Sequence, residues 1–404
     1  MFLMRNSIYI KNYIYKFGGT ESFTSRLIYS LQVIFPKDEI IIITEHYSGT
    51  EYLKTEDFIE TINRMYGTSI NCINIKIQYI EVLEKYQRFS SFLLQKRIFK
   101  ITKKCDRFFY CSRGLVTGKA KNNICIVHFP PEKKSSFPFY NKFKIFMPVA
   151  KKTDENFRSG YDIFIPNSDF TASYLKKFWN ISDEKIKMTY HPVNLLSQNC
   201  HKEKGTILIC SRIEKSKKIE ELINAYRSSS FLLENCSLTV AGSIKNESAD
   251  YKDYITKLCP KVKFVFEPSN QELQALYSKS EVFWHAKGFG ETNPYLMEHF
   301  GLTTVEAMSV GCVPVVIDKG GQKEIVQENC GFKWNTLEEL VQKTELLFKD
   351  TELLNKMSEN AKKKGRILFV GKFYKKIKRG FIDYEKNCQN SETFFVDGKN
   401  ISSN

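Results

Sequence analysis

The sequence predicts an α/β protein built from two doubly wound parallel-sheet domains that face a cleft. Three observations support this prediction. Short β-branched runs alternate with amphipathic stretches of helical period, and the length of 404 residues exceeds that of one typical domain. A polar, proline-containing stretch at residues 190–199 then separates two such series. Alternation of this kind indicates strand–helix–strand units, and therefore a parallel sheet in each half.

The first series of elements begins near the N-terminus. Apolar, β-branched runs predict strands at residues 7–10, 40–44, 124–128 and 161–165. A helix is expected over residues 21–32, where apolar side chains recur on one helical face. These elements define a predicted N-terminal domain over residues 1–195, with a Rossmann-like arrangement.

The second series repeats the pattern after the link. Similar runs predict strands at residues 206–210, 237–241, 263–266, 282–284 and 313–317, with helices at 219–226 and 271–278 between them. They define a second Rossmann-like domain over residues 205–370. A basic C-terminal helix over residues 371–388, packing back toward the first domain, and a loose tail over residues 389–404 complete the expected organisation.

The positive charge of the chain is large and uneven. The net charge is +16, and residues 1–200 hold 30 lysines and arginines against 18 acidic residues. Charge of this sign fits an anionic lipid surface, an anionic substrate such as a lipid-diphosphate-linked glycan, or simply a soluble surface. No helix-turn-helix, zinc-finger or RNA-recognition signature accompanies it, so nucleic acid is not an expected partner.

Cysteine usage and hydropathy predict a cytoplasmic protein. The 11 cysteines form no C-x-x-C pair, and several lie in apolar runs, as reduced thiols do in the cytosol. No apolar run approaches the roughly 18 residues of a membrane span, and the N-terminus lacks the apolar core of a signal peptide. No paired Cys/His spacing, H-E-x-x-H or D-x-D motif is present, so we expect neither a metal nor a cofactor.

Two motifs that suit phosphate groups follow predicted strands. Arg212 and Lys217 are five positions apart, so one loop can bring both cations to a diphosphate. Gly18 and Gly19 lie between a strand and a helix, where the backbone approaches a ligand closely and the helix N-terminus favours anions. The alternatives are a solvated basic helix start for the first motif and a tight connection for the second.

Two glutamates, Glu298 and Glu306, are eight positions apart and flank a glycine-containing turn. The turn consists of Phe300, Gly301, Leu302 and Thr303, and its backbone N–H groups could face phosphates while the carboxylates bind vicinal hydroxyls. The alternative is a capping box, in which Thr303 begins a helix and Glu306 serves only that helix start.

Three basic residues complete the candidates. His128 ends a predicted strand in the stretch Val-His-Phe-Pro-Pro, where a histidine is often structural. His285 and Lys287 follow another strand and precede Glu298, so they are further candidates for the same site.

Asp318, Gly320 and Gly321 form a later block, and Glu324 is expected to begin the next helix.

In this order the blocks resemble retaining glycosyltransferases of family 4, also called glycosyl transferases group 1, which have the GT-B fold. The E-x7-E stretch from Glu298 to Glu306 carries most of the resemblance. Arg212 and Lys217 match the family's R-x4-K-G signature, although Lys218 replaces its glycine. The resemblance is strongest over residues 205–335 and reaches the first half through the Gly-Gly turn and His128.

The resemblance implies transfer of a sugar from a nucleoside-diphosphate sugar, UDP- or GDP-linked and with GDP-mannose as one option, to a glycan or lipid-linked glycan. It implies that Arg212 and Lys217 hold the diphosphate, and that Glu298 contacts the sugar near the reacting carbon. Glu306 would bind the ribose, and His128 would position or polarise the reacting sugar. The Gly-Gly turn would face the donor phosphates, and the mechanism would be retaining and metal-independent.

Two other functions fit a similar sequence. A nucleotide-sugar epimerase shares the two-domain fold and would convert its substrate without an acceptor. A non-catalytic protein could bind a nucleotide sugar and never turn it over. For a transferase, the protein could lie at the cytosolic face of a membrane whether its acceptor is a glycan or a lipid-linked glycan.

Overall fold

The computed structural model describes residues 4–10, 19–48, 51–82, 87–111, 116–130, 155–193, 196, 201–244 and 249–367. These residues form two compact units. The first comprises the chain up to Pro166 together with Leu175–Thr189, and the second comprises Asn167–Tyr174 and the described residues from Tyr190 on. The domain limits 1–195 and 205–370 remain predictions, and the predicted helix 371–388 and tail 389–404 lie outside the described residues.

The first unit contains a six-stranded parallel sheet. Its strands are β1 (Arg5–Ile10), β2 (Glu39–His46), β3 (Ile75–Glu81), β4 (Arg107–Tyr110), β5 (Asn122–Val127) and β6 (Ile163–Pro166). They lie in the order β3-β2-β1-β4-β5-β6. The helices are α1 (Gly19–Ile34), α2 (Thr55–Tyr66), α3 (Gln87–Thr102) and α4 (Asp169–Trp179), the last of which begins in the second unit. Apolar side chains are buried on both faces of the sheet, which is why its central strands are nearly continuous in β-branched residues.

The second unit repeats this architecture. Its strands are β7 (Thr206–Cys210), β8 (Ser237–Gly242), β9 (Lys263–Phe266), β10 (Val282–His285), β11 (Val313–Ile317) and β12 (Phe332–Trp334). They are parallel and lie in the order β12-β11-β10-β7-β8-β9. The helices are α5 (Ile219–Ser228), α6 (Ser230–Asn235), α7 (Ala249–Thr256), α8 (Asn270–Lys279), α9 (Leu302–Ser309), α10 (Gln322–Ile325), α11 (Leu337–Lys349) and α12 (Thr351–Ile367).

In both sheets the strand order reverses at one internal point. In the first, β1 lies between β2 and β4, and in the second β7 lies between β8 and β10. Chain order therefore runs outward from each switch point, leaving a crevice at the carboxyl ends of the two central strands. The predicted fold class, two doubly wound parallel-sheet domains, is confirmed. Three of the observed strands, β3, β4 and β12, were not among the predicted ones.

Helix length and hydropathy bear on membrane insertion. Among the described residues, no helix has both the length and the apolar character needed to cross a bilayer. Three cysteines that lie in apolar runs, Cys125, Cys210 and Cys312, are all buried; the first two lie in strands and Cys312 lies just before β11.

Candidate functional site

The candidate site lies at the switch point of the second sheet. Arg212 follows the end of β7, and Lys217 ends the single 3-10 turn Lys215–Lys217 that comes next. His285 is the last residue of β10, the strand paired with β7. The carboxyl ends of adjacent parallel strands therefore bring these basic side chains to one edge of the sheet, where such folds bind ligands.

Glu298 is the centre of this cluster. Its Oε2 lies 3.1 Å from Lys217 Nζ and 3.4 Å from His285 Nε2. Burial by itself raises the pKa of Glu298, but the charges of Lys217 and Lys287 and the contact with His285 outweigh it and hold the pKa well below the usual range. Glu298 is therefore an ionised, mostly buried carboxylate. The structure brings together Lys217 and Glu298, two residues that the sequence placed in separate motifs.

His285 contacts the carboxylate of this ion pair. Its side chain is only 4% exposed, and burial lowers its pKa although Glu298 opposes the change. It is thus neutral at physiological pH, with Nε2 toward the Glu298 carboxylate. Its buried Nδ1 has no hydrogen-bond partner among the described residues. The imidazole can orient Glu298 without neutralising it.

Lys287 is a third cation at the site. It is partly buried, and within the described part of the chain no carboxylate lies within ion-pairing distance of it. Burial lowers its pKa, Glu298 opposes this, and repulsion from Lys217 and Arg212 adds to it. His285 and Lys287 were further candidates, not part of the core predicted set. Their place at and just after the end of the strand beside β7 is the signal that identifies them.

Arg212 is the most exposed of these cations. Its side chain is 43% exposed, and one guanidinium nitrogen lies 3.2 Å from Glu214 Oε2. A guanidinium carries five N–H donors, so this single ion pair leaves donors that can bind an anion. Together, Arg212, Lys217 and Lys287 place three cationic side chains around the ionised Glu298.

Lys218, which stands where the R-x4-K-G pattern has glycine, has the backbone conformation typical of glycine. Lys218 adopts the left-handed conformation, with φ 58° and ψ 37°, at the residue before α5. This is the region that glycine enters at no steric cost and that other residues rarely occupy. The turn that glycine would form is therefore present with lysine in its place. Lys218 Nζ also forms a 2.8 Å ion pair with Glu291 Oε1.

The turn after Glu298 starts a helix. Gly301 is the N-cap of α9, with φ 113°, and the first helical hydrogen bond runs from the Val305 N–H to the Gly301 carbonyl. The N–H groups of Leu302 and Thr303 consequently have no acceptor within the helix. Phe300 is 3% exposed and packs in the core, so only its backbone is suited to ligand contact.

The capping-box interpretation of Thr303 and Glu306 is wrong. Gly301 occupies the N-cap, so Thr303 lies inside the first turn and Glu306 lies beyond it. Glu306 Oε2 instead accepts a hydrogen bond of 3.2 Å from the hydroxyl of the buried Tyr277. The capping alternative failed because the left-handed glycine starts the helix two residues earlier than the threonine pattern suggests.

A second glycine pair supports the backbone of Glu298. The Gly321 N–H donates to the Glu298 carbonyl at 2.8 Å. Gly320 has φ +61°, and a Cβ there would clash with the same carbonyl oxygen. The Asp318–Gly321 block therefore holds the loop that carries Glu298. This contact accounts for the two glycines of the block without any contact between the block and a ligand.

The remaining predicted residues belong to the first unit. Gly18 lies outside the described residues, and Gly19 is the exposed first residue of α1. His128 directly follows β5, and its ring lies edge-on to Phe23 of α1 with centroids 5.7 Å apart. His128 thus lies against α1, the helix whose first residue is Gly19. These residues and the Glu298 cluster belong to different units.

Metal-binding side chains are not clustered in the described part of the chain. Among the residues that the structure describes, no group of three or more His, Cys, Asp or Glu side chains is arranged to hold a metal ion. The expectation that no metal or cofactor is needed stays a prediction.

Comparisons with known proteins agree with this geometry. Residues 196–364 match the family described as "Glycosyl transferases group 1". An uncharacterized glycosyltransferase of Methanocaldococcus jannaschii is 27% identical over 180 residues, which are 39% of this chain and 42% of that protein. The GDP-Man:Man(3)GlcNAc(2)-PP-Dol alpha-1,2-mannosyltransferase of Dictyostelium discoideum is 24% identical over 259 residues, covering 53% of this chain and 50% of that protein. The chain thus spans half or less of these relatives.

Solved structures show the fold over nearly the whole chain. A glycosyltransferase from Rickettsia africae superimposes with a TM-score of 0.68 and 18% identity, covering 95% of this chain and 98% of that one. Anabaena HepE in complex with UDP and glucose gives a TM-score of 0.66 and 15% identity, covering 94% and 100%. These likenesses show the fold, and the chain has the GT-B fold.

Proposed function

We propose that the protein is a retaining, metal-independent glycosyltransferase, which the match of residues 196–364 to the glycosyl transferases group 1 family supports. It moves a sugar from a nucleoside-diphosphate sugar, UDP- or GDP-linked, to a glycan or lipid-linked glycan acceptor. The observation that carries this proposal is the Lys217–Glu298 ion pair of 3.1 Å at the switch point of the second sheet. This ion pair supports the proposal because an ammonium group suits phosphate and a carboxylate suits sugar hydroxyls.

The leaving diphosphate is the group that needs positive charge. Its negative charge grows as the sugar–phosphate bond breaks, and fixed cations at that position stabilise the transition state more than the ground state. Arg212 and Lys217 supply this charge in the proposal, with Lys287 close by. They take the part that a metal ion plays in other transferases.

The two carboxylates have separate tasks. Glu298 is kept ionised by its cationic neighbours, so it accepts hydrogen bonds from sugar hydroxyls near the reacting carbon. Glu306, fixed through Tyr277, accepts from the ribose hydroxyls. The amides of Leu302 and Thr303 at the start of α9 are the backbone donors for the diphosphate.

The chemistry we propose needs no protein nucleophile. The acceptor hydroxyl attacks on the face from which the diphosphate leaves, through an oxocarbenium-like sugar, so the configuration at the anomeric carbon is retained. His128 positions or polarises the reacting sugar, and Gly18 and Gly19 face the donor phosphates. The name of the Dictyostelium relative specifies GDP-mannose and a dolichol-linked acceptor, which supports this pair as one option here.

Donor turnover without an acceptor tests the proposal. UDP-glucose and GDP-mannose are each incubated with the protein in EDTA, and the released sugar is followed by proton NMR. We expect slow release of nucleoside diphosphate from one donor, with the sugar first appearing in the anomeric configuration of the donor. Arg212→Ala should abolish the release while leaving the protein folded, since the Arg212 side chain lies at the surface.

Four results would contradict the proposal. Equal turnover by Arg212→Ala would remove the diphosphate role, and inversion at the anomeric carbon would remove the retaining mechanism. Conversion of the donor to an epimeric nucleotide sugar would favour the epimerase. Saturable binding without turnover, in the presence of candidate glycans as well, would favour a non-catalytic binding protein.

A further inference from the structure

Two consecutive lysines hold both ends of one loop segment. Lys217 pairs with Glu298 at 3.1 Å, and Lys218 pairs with Glu291 at 2.8 Å. The two glutamates lie seven positions apart, at the ends of residues 291–298. The turn after β7 is therefore joined to this segment at two points, one of which contains the carboxylate proposed to bind the sugar.

The Lys218–Glu291 pair is better built than an ordinary surface ion pair. The two side chains are 20% and 24% exposed, so solvent screens their attraction less than it would at the open surface. Glu291 is also held from its other side, since Lys319 Nζ donates to its carbonyl oxygen at 2.7 Å. The segment begins after Gly288 and Gly290, both at positive φ, which glycine adopts more readily than other residues.

Lys217 has two competing tasks in the proposed function. It pairs with Glu298 in the structure, and it would bind the donor diphosphate. If the Lys217–Glu298 pair were the only link between the β7 turn and the segment, binding the diphosphate would break that link just when the sugar arrives. A second, independent pair removes this conflict.

The left-handed backbone of Lys218 supports a role beyond the turn. Glycine satisfies φ 58° without steric cost, whereas lysine is strained there. A lysine at this position is explained by what its side chain contacts, and that contact is Glu291.

We propose that Lys218 and Glu291 are positioning residues, which keep the 291–298 segment and its Glu298 in place when Lys217 turns to the donor diphosphate. The inference rests on the proposed function for the identity of the ligand. The pair acts through Glu298 and touches neither the diphosphate nor the sugar.

The first test needs no nucleotide. Hydrogen exchange of residues 288–298 is compared in the full-length wild type, Lys218→Gly, Glu291→Gln and Lys218→Arg. We expect faster exchange in the first two variants and wild-type exchange in Lys218→Arg, which keeps the charge. Lys218→Gly also relieves backbone strain, so the variant should fold. Unchanged exchange in both Lys218→Gly and Glu291→Gln would overturn the proposal.

The second test measures binding of UDP, GDP, UDP-glucose and GDP-mannose by calorimetry. Lys218→Gly and Glu291→Gln should bind the nucleoside diphosphate nearly as wild type does, but lose the added affinity for the nucleotide sugar. Donor turnover should fall by up to about a hundredfold, the order expected for a misplaced catalytic group. The double variant should be no worse than either single variant, because both remove one interaction.

Lys215→Ala is the matched control. It removes an exposed positive charge from the same turn, but Lys215 does not pair with Glu291. It should leave the sugar-dependent affinity unchanged. Additive losses in the double variant, or an equal loss in Lys215→Ala, would show a general charge effect and overturn the positioning role. A wild type that binds no nucleotide or nucleotide sugar would instead refute the proposed function, and hydrogen exchange would still decide whether the pair holds the segment.

Discussion

At the scale of single residues, charge balance distinguishes this site from an ordinary surface cluster. Glu298 stays ionised because cations surround it, and His285 stays neutral because it is buried. Lys287 has no ion-pair partner among the described residues, which is costly for a partly buried ammonium group. An anionic ligand would relieve that cost, so Lys287 is the residue whose titration should report on binding.

We therefore expect the affinity for a nucleoside diphosphate to fall at alkaline pH. The pKa of Lys287 is lowered from 10.5, so the ammonium group loses its proton at a lower pH than a free lysine does. The affinity is complete below that lowered pKa and declines as the pH rises through it. Lys287→Met should lower the affinity at pH 7 by about tenfold, or 1.4 kcal/mol, and remove the decline.

Calorimetry with UDP and GDP between pH 7 and 10 measures this effect. Lys287→Arg is the control, because a guanidinium remains charged over the whole range. An alkaline decline that persists unchanged in Lys287→Met would assign the titration to another group.

At the scale of elements, the site is held by close backbone contacts between loops. The Asp318–Gly321 block packs against the carbonyl of Glu298, and the helix α9 begins immediately after that loop at Gly301. Neither arrangement depends on the apolar periodicity that defines the strands. Glycines at these points make room for a second backbone, and their positions determine where the carboxylate lies.

Gly320→Ala should consequently disturb the site more than an equivalent change elsewhere. Gly320 and Gly290 both have positive φ, at 61° and 72°, but a Cβ at Gly290 would meet no atom within 4 Å. Gly290→Ala should cost only the backbone strain, about 1 kcal/mol. Gly320→Ala adds the clash with the Glu298 carbonyl and should lower the free energy of unfolding by roughly 1–3 kcal/mol more.

Chemical denaturation of the two variants at pH 7 gives this difference. Gly320→Ala should also weaken nucleotide-sugar binding, while Gly290→Ala should not. Equal losses of stability in the two variants would mean that the Asp318–Gly321 block does not support the Glu298 loop.

At the scale of the whole molecule, the sequence predicted best those site residues that lie close together in one short motif. Arg212 with Lys217, and Glu298 with Glu306, could be found because each pair lies within one short motif. The link between Lys218 and Glu291 could not, since 73 residues separate its partners and no local pattern records such a contact.

The strands that were not predicted have physical reasons as well. β12 has only three residues, too few to show a period. β3 lies at the sheet edge and contains Lys76, Gln78 and Glu81, so it lacks the continuous apolar run by which the other strands were identified. β4 begins with Arg107, a charged residue that is buried because it pairs with Asp38 at 3.4 Å.

The uneven positive charge of the molecule leads to a prediction about membranes. We expect the protein to sediment with vesicles that contain anionic lipid, through the charge excess of residues 1–200, and not with neutral phosphatidylcholine vesicles. Binding should weaken as salt rises from about 0.05 to 0.5 M, because screening shortens the range of the attraction. Equal sedimentation with both kinds of vesicle would remove the anionic surface as a partner.

Nucleotide binding at the switch point of the second sheet is the central claim, and thermal unfolding with UDP, GDP and ADP in EDTA tests it most directly. A nucleotide at 100 times its dissociation constant should stabilise the wild type by about 2.7 kcal/mol. We predict this shift for UDP or GDP in the wild type and in Lys215→Ala, and its loss in Arg212→Ala. A wild type that no nucleotide stabilises, or an equal shift in Arg212→Ala, would contradict the account.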